Sequence, residues 1–166
     1  LHSELLAKQK AMEEALESAP CNRLALHGNV GIIASGIASL YAEEAIIELD
    51  ENLSLLCLGA YPLPQKLISR MLKHVSRVMV IEELEPVVEE QVQMLARKVN
   101  PNVEILGKEG FIPREGELDY LLVRNAIARM LGKTEKVALE SPDVSILPPR
   151  PPSARKSPRL NSRQRT

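Results

Sequence analysis

A three-layer α/β/α fold with a mostly parallel central sheet is the architecture this sequence predicts, on three observations. Short apolar runs alternate with longer stretches whose apolar residues recur at helical spacing. The connections are short and rich in Gly, Pro and Asn. The runs are also apolar at nearly every position, as in strands covered on both faces.

Taken in order, residues 1–20 read as a polar N-terminal helix or linker, with Leu5, Leu6, Met12 and Leu16 as a sparse stripe between Ser3 and Pro20. Val30 to Ala34 opens the first strand, near 30–35. A helix over 37–50 follows, because Ala38, Tyr41, Ala42, Ala45, Ile46 and Leu49 fall on one face. The second strand is predicted at 53–58. Pro64 begins a helix over 64–74 whose face carries Leu67, Ile68, Met71 and Leu72. Arg77 to Ile81 lies in a third strand over 76–82. Pro86 marks a helix over 86–99, lined by Val88, Val92, Leu95, Ala96 and Val99 and ended by Asn100-Pro101. Val103 to Leu106 is the fourth strand, closed by Gly107. Beyond a loop with Phe111-Ile112-Pro113, a helix over 117–131 ends at Gly132. The packed domain is thus placed at 21–140. Residues 141–166 hold six of the twelve prolines and six Lys or Arg, and read as a disordered Pro/Arg-rich linker or an appended tail.

At 166 residues the chain has room for one domain with a real core. Hydrophobic residues make up 45% but aromatics only 2%, so that core is aliphatic. No apolar run approaches the ~20 residues that cross a bilayer. The opening Leu1-His2-Ser3-Glu4 has neither an initiator Met nor a signal-peptide pattern, which reads as a fragment of a longer protein. Cys21 and Cys57 lie far apart, suggesting neither a disulfide framework nor a metal knuckle, and a cytoplasmic setting is expected. Positions 1–140 hold 15 basic against 21 acidic residues. An acidic body with four aromatics offers nucleic acid no basic stripe or stacking platform.

Right-handed crossovers bring the strand C-terminal ends to one edge, the usual site of function in open α/β sheets. That edge collects Ser35-Gly36, Gly59-Ala60-Tyr61, Glu82-Glu83 and Gly107. Gly31 to Gly36 lacks the GxGxxG spacing, and no GxxxxGK[ST] occurs. Gly36 therefore reads mainly as a tight strand-to-helix turn with Ser35 as cap, and secondarily as a place for an anion at the helix N-terminus. Ser35 has Ile, not Gly, two residues to either side, so it does not form a nucleophile elbow. His2, His27 and His74 belong to no triad or ligand pattern. The dense acids Glu82, Glu83 and Glu85 precede a helix, where capping, an interdomain contact or acid–base chemistry are the competing roles.

Four ordered segments carry a resemblance. They are Gly31-Ile32-Ile33-Ala34-Ser35-Gly36-Ile37-Ala38, then Leu58-Gly59-Ala60-Tyr61-Pro62-Leu63-Pro64, then Val80 through Gln91, then Gly107 through Leu118. Together they are similar to the large subunit of indolepyruvate:ferredoxin oxidoreductases, over about positions 20–152. The match is to its middle, transketolase C-terminal-like domain. The resemblance implies a five-stranded sheet with one antiparallel strand, for which Val137-Ala138-Leu139 is the candidate. It implies a parent enzyme that decarboxylates aryl-pyruvates such as indolepyruvate to acyl-CoA and CO2. That enzyme uses thiamine diphosphate, magnesium and 4Fe–4S clusters, a smaller partner subunit, and ferredoxin as acceptor.

No Gly-Asp-Gly segment with a downstream Asn and no four-cysteine cluster is present, so no cofactor or metal ligand of the family transfers onto this chain. The resemblance therefore implies a non-catalytic interdomain module. Tyr61, Glu82, Glu83, Glu85, Phe111 and Arg114 are its candidate interdomain surface, and self-association of the isolated piece is expected if that surface is apolar. A free-standing small-ligand or anion binder at the strand C-terminal edge is the alternative.

Overall fold

The computed structural model describes residues 2–137. Two compact units divide between Lys136 and Val137, and all of the second except Val137 lies outside the described residues. The Pro/Arg-rich segment over 141–166 falls there.

In the first unit the elements run α1 (His2–Leu16), β1 (Arg23–Ala25), β2 (Val30–Ser35), α2 (Ala38–Leu49), β3 (Ser54–Leu58) and α3 (Gln65–His74). They continue with β4 (Arg77–Ile81), α4 (Val87–Val99), β5 (Glu104–Leu106) and α5 (Tyr120–Met130). The sheet order is β1-β3-β2-β4-β5. β2 lies parallel to both β3 and β4, with Ser35 level with Leu58 and Ala34 level with Ile81. β5 continues the parallel set beside β4. The expected mostly parallel three-layer fold is present.

Alternate side chains of the central strands feed opposite faces. Ile32, Ala34, Met79 and Ile81 point to one core with α2 and α5, while Ile33, Leu56, Val78 and Val80 point to the other with α3 and α4. Because both faces are covered, β3 is buried along its whole length. α3 shows how the amphipathic pattern operates: Leu67, Ile68, Met71 and Leu72 are buried on one stripe.

Two features depart from the sequence reading. The antiparallel strand is Arg23–Ala25, which pairs with β3 from Arg23 opposite Cys57 to Ala25 opposite Leu55. Val137, one of the residues proposed for that role, is in no strand, and Ala138 and Leu139 lie outside the described residues. Three residues are too few for period-2 alternation to register, so β1 exists because a sheet edge accepts it. The last helix also starts at Tyr120, not near 117. Asp119 has extended backbone, and its carboxylate accepts from Leu122 N at 2.7 Å, which makes it the cap.

α1 buries none of its residues. It is tied to the body through its end: the Glu17 carboxylate accepts from Lys66 N at 2.8 Å and Leu67 N at 3.1 Å. Asn22 adds a second tie, donating to Leu16 O at 2.8 Å and accepting from Gly59 N at 3.0 Å.

Candidate functional site

The strand C-terminal edge is assembled from the loops after β3, β2, β4 and β5, in that spatial order. Its dense acids do structural work. Glu82, the residue after β4, is 4% exposed. Its two carboxylate oxygens accept from Val88 N and Glu89 N, each at 2.8 Å. A buried carboxylate is tolerated here because it meets the unpaired amides and positive end of α4 through two charge-assisted bonds. Glu82 is thereby withdrawn from the surface on which the sequence reading placed it.

Glu89, in the first turn of α4, repeats the device toward β5. Its carboxylate accepts from Lys108 N at 2.8 Å and from Gln93 Nε2 at 3.1 Å. Gly107 allows this approach, since a Cβ there would overlap the Glu89 carboxylate. The Lys108 ammonium closes the knot by donating to Glu82 O and, at 3.0 Å, to Pro113 O. Burial pulls its pKa down, against the upward pull of the Glu82 and Glu89 carboxylates. Glu83 accepts from Leu118 N at 3.2 Å. Glu82 and Glu83 are thus aimed at different backbone donors, an arrangement that gives no shared proton for acid–base chemistry.

Of the other sequence candidates, Glu85 and Arg114 are exposed and face each other at 3.8 Å. Tyr61, joined to Pro62 by a cis peptide bond, is 67% exposed. Phe111 is half-buried against the α2–α5 core, with the Arg129 guanidinium 5.3 Å from its ring centre and bonded to its carbonyl at 3.2 Å. The edge therefore keeps Tyr61, Glu83, Glu85 and Arg114 at the surface and takes Glu82 and, in part, Phe111 inward.

Two residues that the sequence reading passed over join that surface. Ile37, in the loop after β2, is 46% exposed, and Leu84, in the loop after β4, is 60% exposed. Leu84 has φ 55°, a left-handed conformation that a bulky side chain adopts at a cost. The available signal was an apolar residue inside an acidic loop, Glu82-Glu83-Leu84-Glu85, where local composition favours solvent.

The anion reading fares poorly at the same edge. Carboxylates already occupy the N-termini of α3, α4 and α5, through Glu17, Glu82 and Asp119. Among α2 to α5, α2 is the helix whose first-turn amides meet no side-chain acceptor: its N-cap residue is Ile37, and Ser35 does not fill the role expected of it. Ser39 Oγ instead donates back to Ala34 O at 2.9 Å. An open groove of about 670 Å³ runs between α1 and the loop after β3, lined by Leu5, Met12, Tyr61 and Pro62 with Lys8 and Glu13 among its polar groups.

Among the described residues, no group of His, Cys, Asp or Glu is placed to hold a metal ion, and Cys21 and Cys57 are separate free thiols. Burial and the nearby Glu43 push the Cys57 thiol up, which makes it a poor thiolate. Among the described residues, Glu82, Glu83 and Glu89 are bonded to separate backbone amides and Cys21 and Cys57 stand apart, which does not fit a magnesium–diphosphate group or an iron–sulfur cluster. No described helix is long and apolar enough to cross a membrane.

No protein-family model matches the chain. Individual relatives do. It is 37% identical to the indolepyruvate oxidoreductase subunit IorA of Pyrococcus abyssi and 35% identical to that of Pyrococcus horikoshii, each over 162 residues. The IorA subunit of Methanothermobacter thermautotrophicus is 32% identical over 158 residues. Each comparison covers 92% of this chain and 25% of the relative, so the chain spans about a quarter of the length of the curated relatives it matches. Over nearly its whole length the chain is homologous to one quarter of the indolepyruvate oxidoreductase subunit IorA.

Proposed function

We propose that this chain is a non-catalytic interdomain module of a thiamine diphosphate-dependent 2-oxoacid:ferredoxin oxidoreductase. In this reading the parent enzyme converts aryl-pyruvates such as indolepyruvate, with CoA, to acyl-CoA and CO2. Thiamine diphosphate, magnesium and 4Fe–4S clusters belong to other domains, and a smaller subunit and ferredoxin are partners of the whole assembly. The module's task is to hold neighbouring domains at fixed orientation.

One observation carries the reading. At the edge where α/β domains place their chemistry, the groups able to do chemistry are consumed in fastening backbone, while apolar side chains are left outward. A catalytic edge has the reverse arrangement, with polar groups converging on a pocket. The names of the relatives supply the enzyme class.

Isothermal titration of the chain with thiamine diphosphate plus magnesium, with CoA and with indolepyruvate tests this. The expected result is no saturable heat from any of the three. Micromolar binding of one of them would overturn the module reading in favour of a ligand site, with the uncapped start of α2 as its place.

A further inference from the structure

Three adjacent strands of the sheet, β3, β2 and β4, each end in a loop that sets one large apolar side chain outward. Those side chains are Tyr61, Ile37 and Leu84. The strand ends are level, Ser35 with Leu58 and Ala34 with Ile81, so the three loops leave the sheet side by side. Solvent alone gives no return on this row: each member forgoes the ~25 cal/mol per Å² that burying its apolar area would contribute. Leu84 also carries the left-handed backbone already described.

At the Leu84 end of the row the charge is one-sided. The loops after β4 and β5 expose Glu83, Glu85, Glu109, Glu115 and Glu117. The cations among them are Arg114, which faces Glu85, and Lys108, whose ammonium is spent on two carbonyl groups. An apolar row with an acidic flank repels polyanions and selects a surface of opposite rim charge.

We propose that the Tyr61–Ile37–Leu84 row and its acidic flank form the docking face of this module, and that its partner is a protein surface with an apolar centre and a Lys/Arg rim. This rests on the interdomain reading and names the side of the module that makes the contact. A second copy of the chain is the weaker fit. The basic stripe Lys66, Arg70 and Lys73 on α3 comes with no exposed large apolar side chain, and α1, which exposes Leu5, Leu6 and Met12, sets Glu4, Glu13 and Glu14 against Lys8 and Lys10.

The test uses the full 166-residue chain, 15N-labelled, and a synthetic amphipathic helix of Leu and Lys as probe, with a Leu/Glu helix as control. Amide shifts on adding the Leu/Lys helix should gather at 36–40, 60–62, 82–87 and 109–117, and the Leu/Glu helix should leave them unmoved. Leu84→Asp and, separately, Ile37→Asp should each weaken binding about tenfold, as loss of a central contact does. Both positions are exposed, so an unchanged spectrum of the free variants shows that folding is intact. Raising the salt from about 0.05 to 0.5 M should weaken it further. Shifts centred elsewhere, or equal binding of the two helices, would overturn the proposal. So would concentration-dependent dimers in sedimentation velocity that Leu84→Asp disperses, because the face would then belong to a second copy. Cofactor binding in the titrations above sinks the module reading itself, whereas a null helix titration sinks the docking face alone.

Discussion

At the β4–β5 half of the strand-end edge, the loops are held by a closed set of bonds: Glu82 on the start of α4, Glu89 on Lys108 N, Lys108 on two carbonyls, and Glu83 on Leu118 N. At the β2 end, a few ångströms across the sheet, the chain turns through Gly36 at φ 59° into α2 with no side-chain cap at all. The two loops occupy equivalent positions at neighbouring strand ends. One spends charge on fixing its own backbone, and the other relies on glycine's freedom and presents Ile37 outward. A cluster of acids at a functional edge is therefore no sign of chemistry until its bonds are counted. Here the acids are the rigid side and the apolar residues are the available side.

The sharpest way to break this contrast is to cut the largest anchor. Glu82→Ala removes both carboxylate bonds and leaves buried amides of Val88 and Glu89 without partners, which should cost about 2–4 kcal/mol of unfolding free energy. Ile37→Ala, at the equivalent place after β2, should stay within ~0.5 kcal/mol. Urea unfolding of the two variants compares them directly, and equal losses would erase the distinction between the halves.

A smaller effect is expected at Gly107. Gly107→Ala places a Cβ against the Glu89 carboxylate, which must move and release Lys108 N. Overpacking of this kind costs about 1–3 kcal/mol. Thermal unfolding gives the loss, and faster hydrogen exchange at Lys108 N would locate it. A variant with unchanged exchange there would show that Glu89 does not fasten the β5 loop.

The smallest effect lies away from the edge, where charge is used at the solvent surface. Glu48, on α2, meets Tyr120, Lys136 and Arg124. The hydrogen bonds from Tyr120 and Lys136, more than that from Arg124, lower its pKa from 4.5 to about 2. Tyr120 is pushed up to about 12, first by desolvation and then by its bond to Glu48. A folded-state pKa below the unfolded one stabilises the fold above the unfolded value, and that stabilisation fades as pH falls from about 4.5 toward 2. Glu48→Gln should therefore lower the melting temperature slightly at pH 7, and the gap to the parent chain should narrow below pH 4.5. Glu48 itself is exposed, so screening by solvent should keep the shift smaller than either effect above. A gap that widens in acid would mean the carboxylate opposes the fold.

How much of this was legible from residues differs by element. β2, β3, β4 and their helices were readable within two residues of their ends, because buried strands and one-faced helices write their burial into composition and spacing. β1 was not, since Arg23-Leu24-Ala25 has no periodicity and owes its conformation to the free edge of β3. At the site, the acids of the loop after β4 stood out at once, but their roles did not. Glu82 and Glu83 are neighbours of the same type, and one is interior while the other is exposed. Ile37 gives no signal because it is an unremarkable apolar residue in its own segment, whereas Leu84 stands out by its place among acids.

Local pattern alone determined the alternation of strand and helix, the aliphatic two-faced core, the glycine turn after β2 and the kinship with the large subunits, since these depend on residues near one another in the chain. Tertiary structure decided the rest: that Glu82 faces the amides of α4, that Glu89 reaches past Gly107 to β5, and that the loops carrying Tyr61, Ile37 and Leu84 follow three adjacent strands. Such relations join residues from 6 positions apart, Glu82 and Val88, to 47 apart, Ile37 and Leu84. A side chain's exposure is set by what the folded chain brings against it, and that is a property of the packing, which short-range periodicity does not contain.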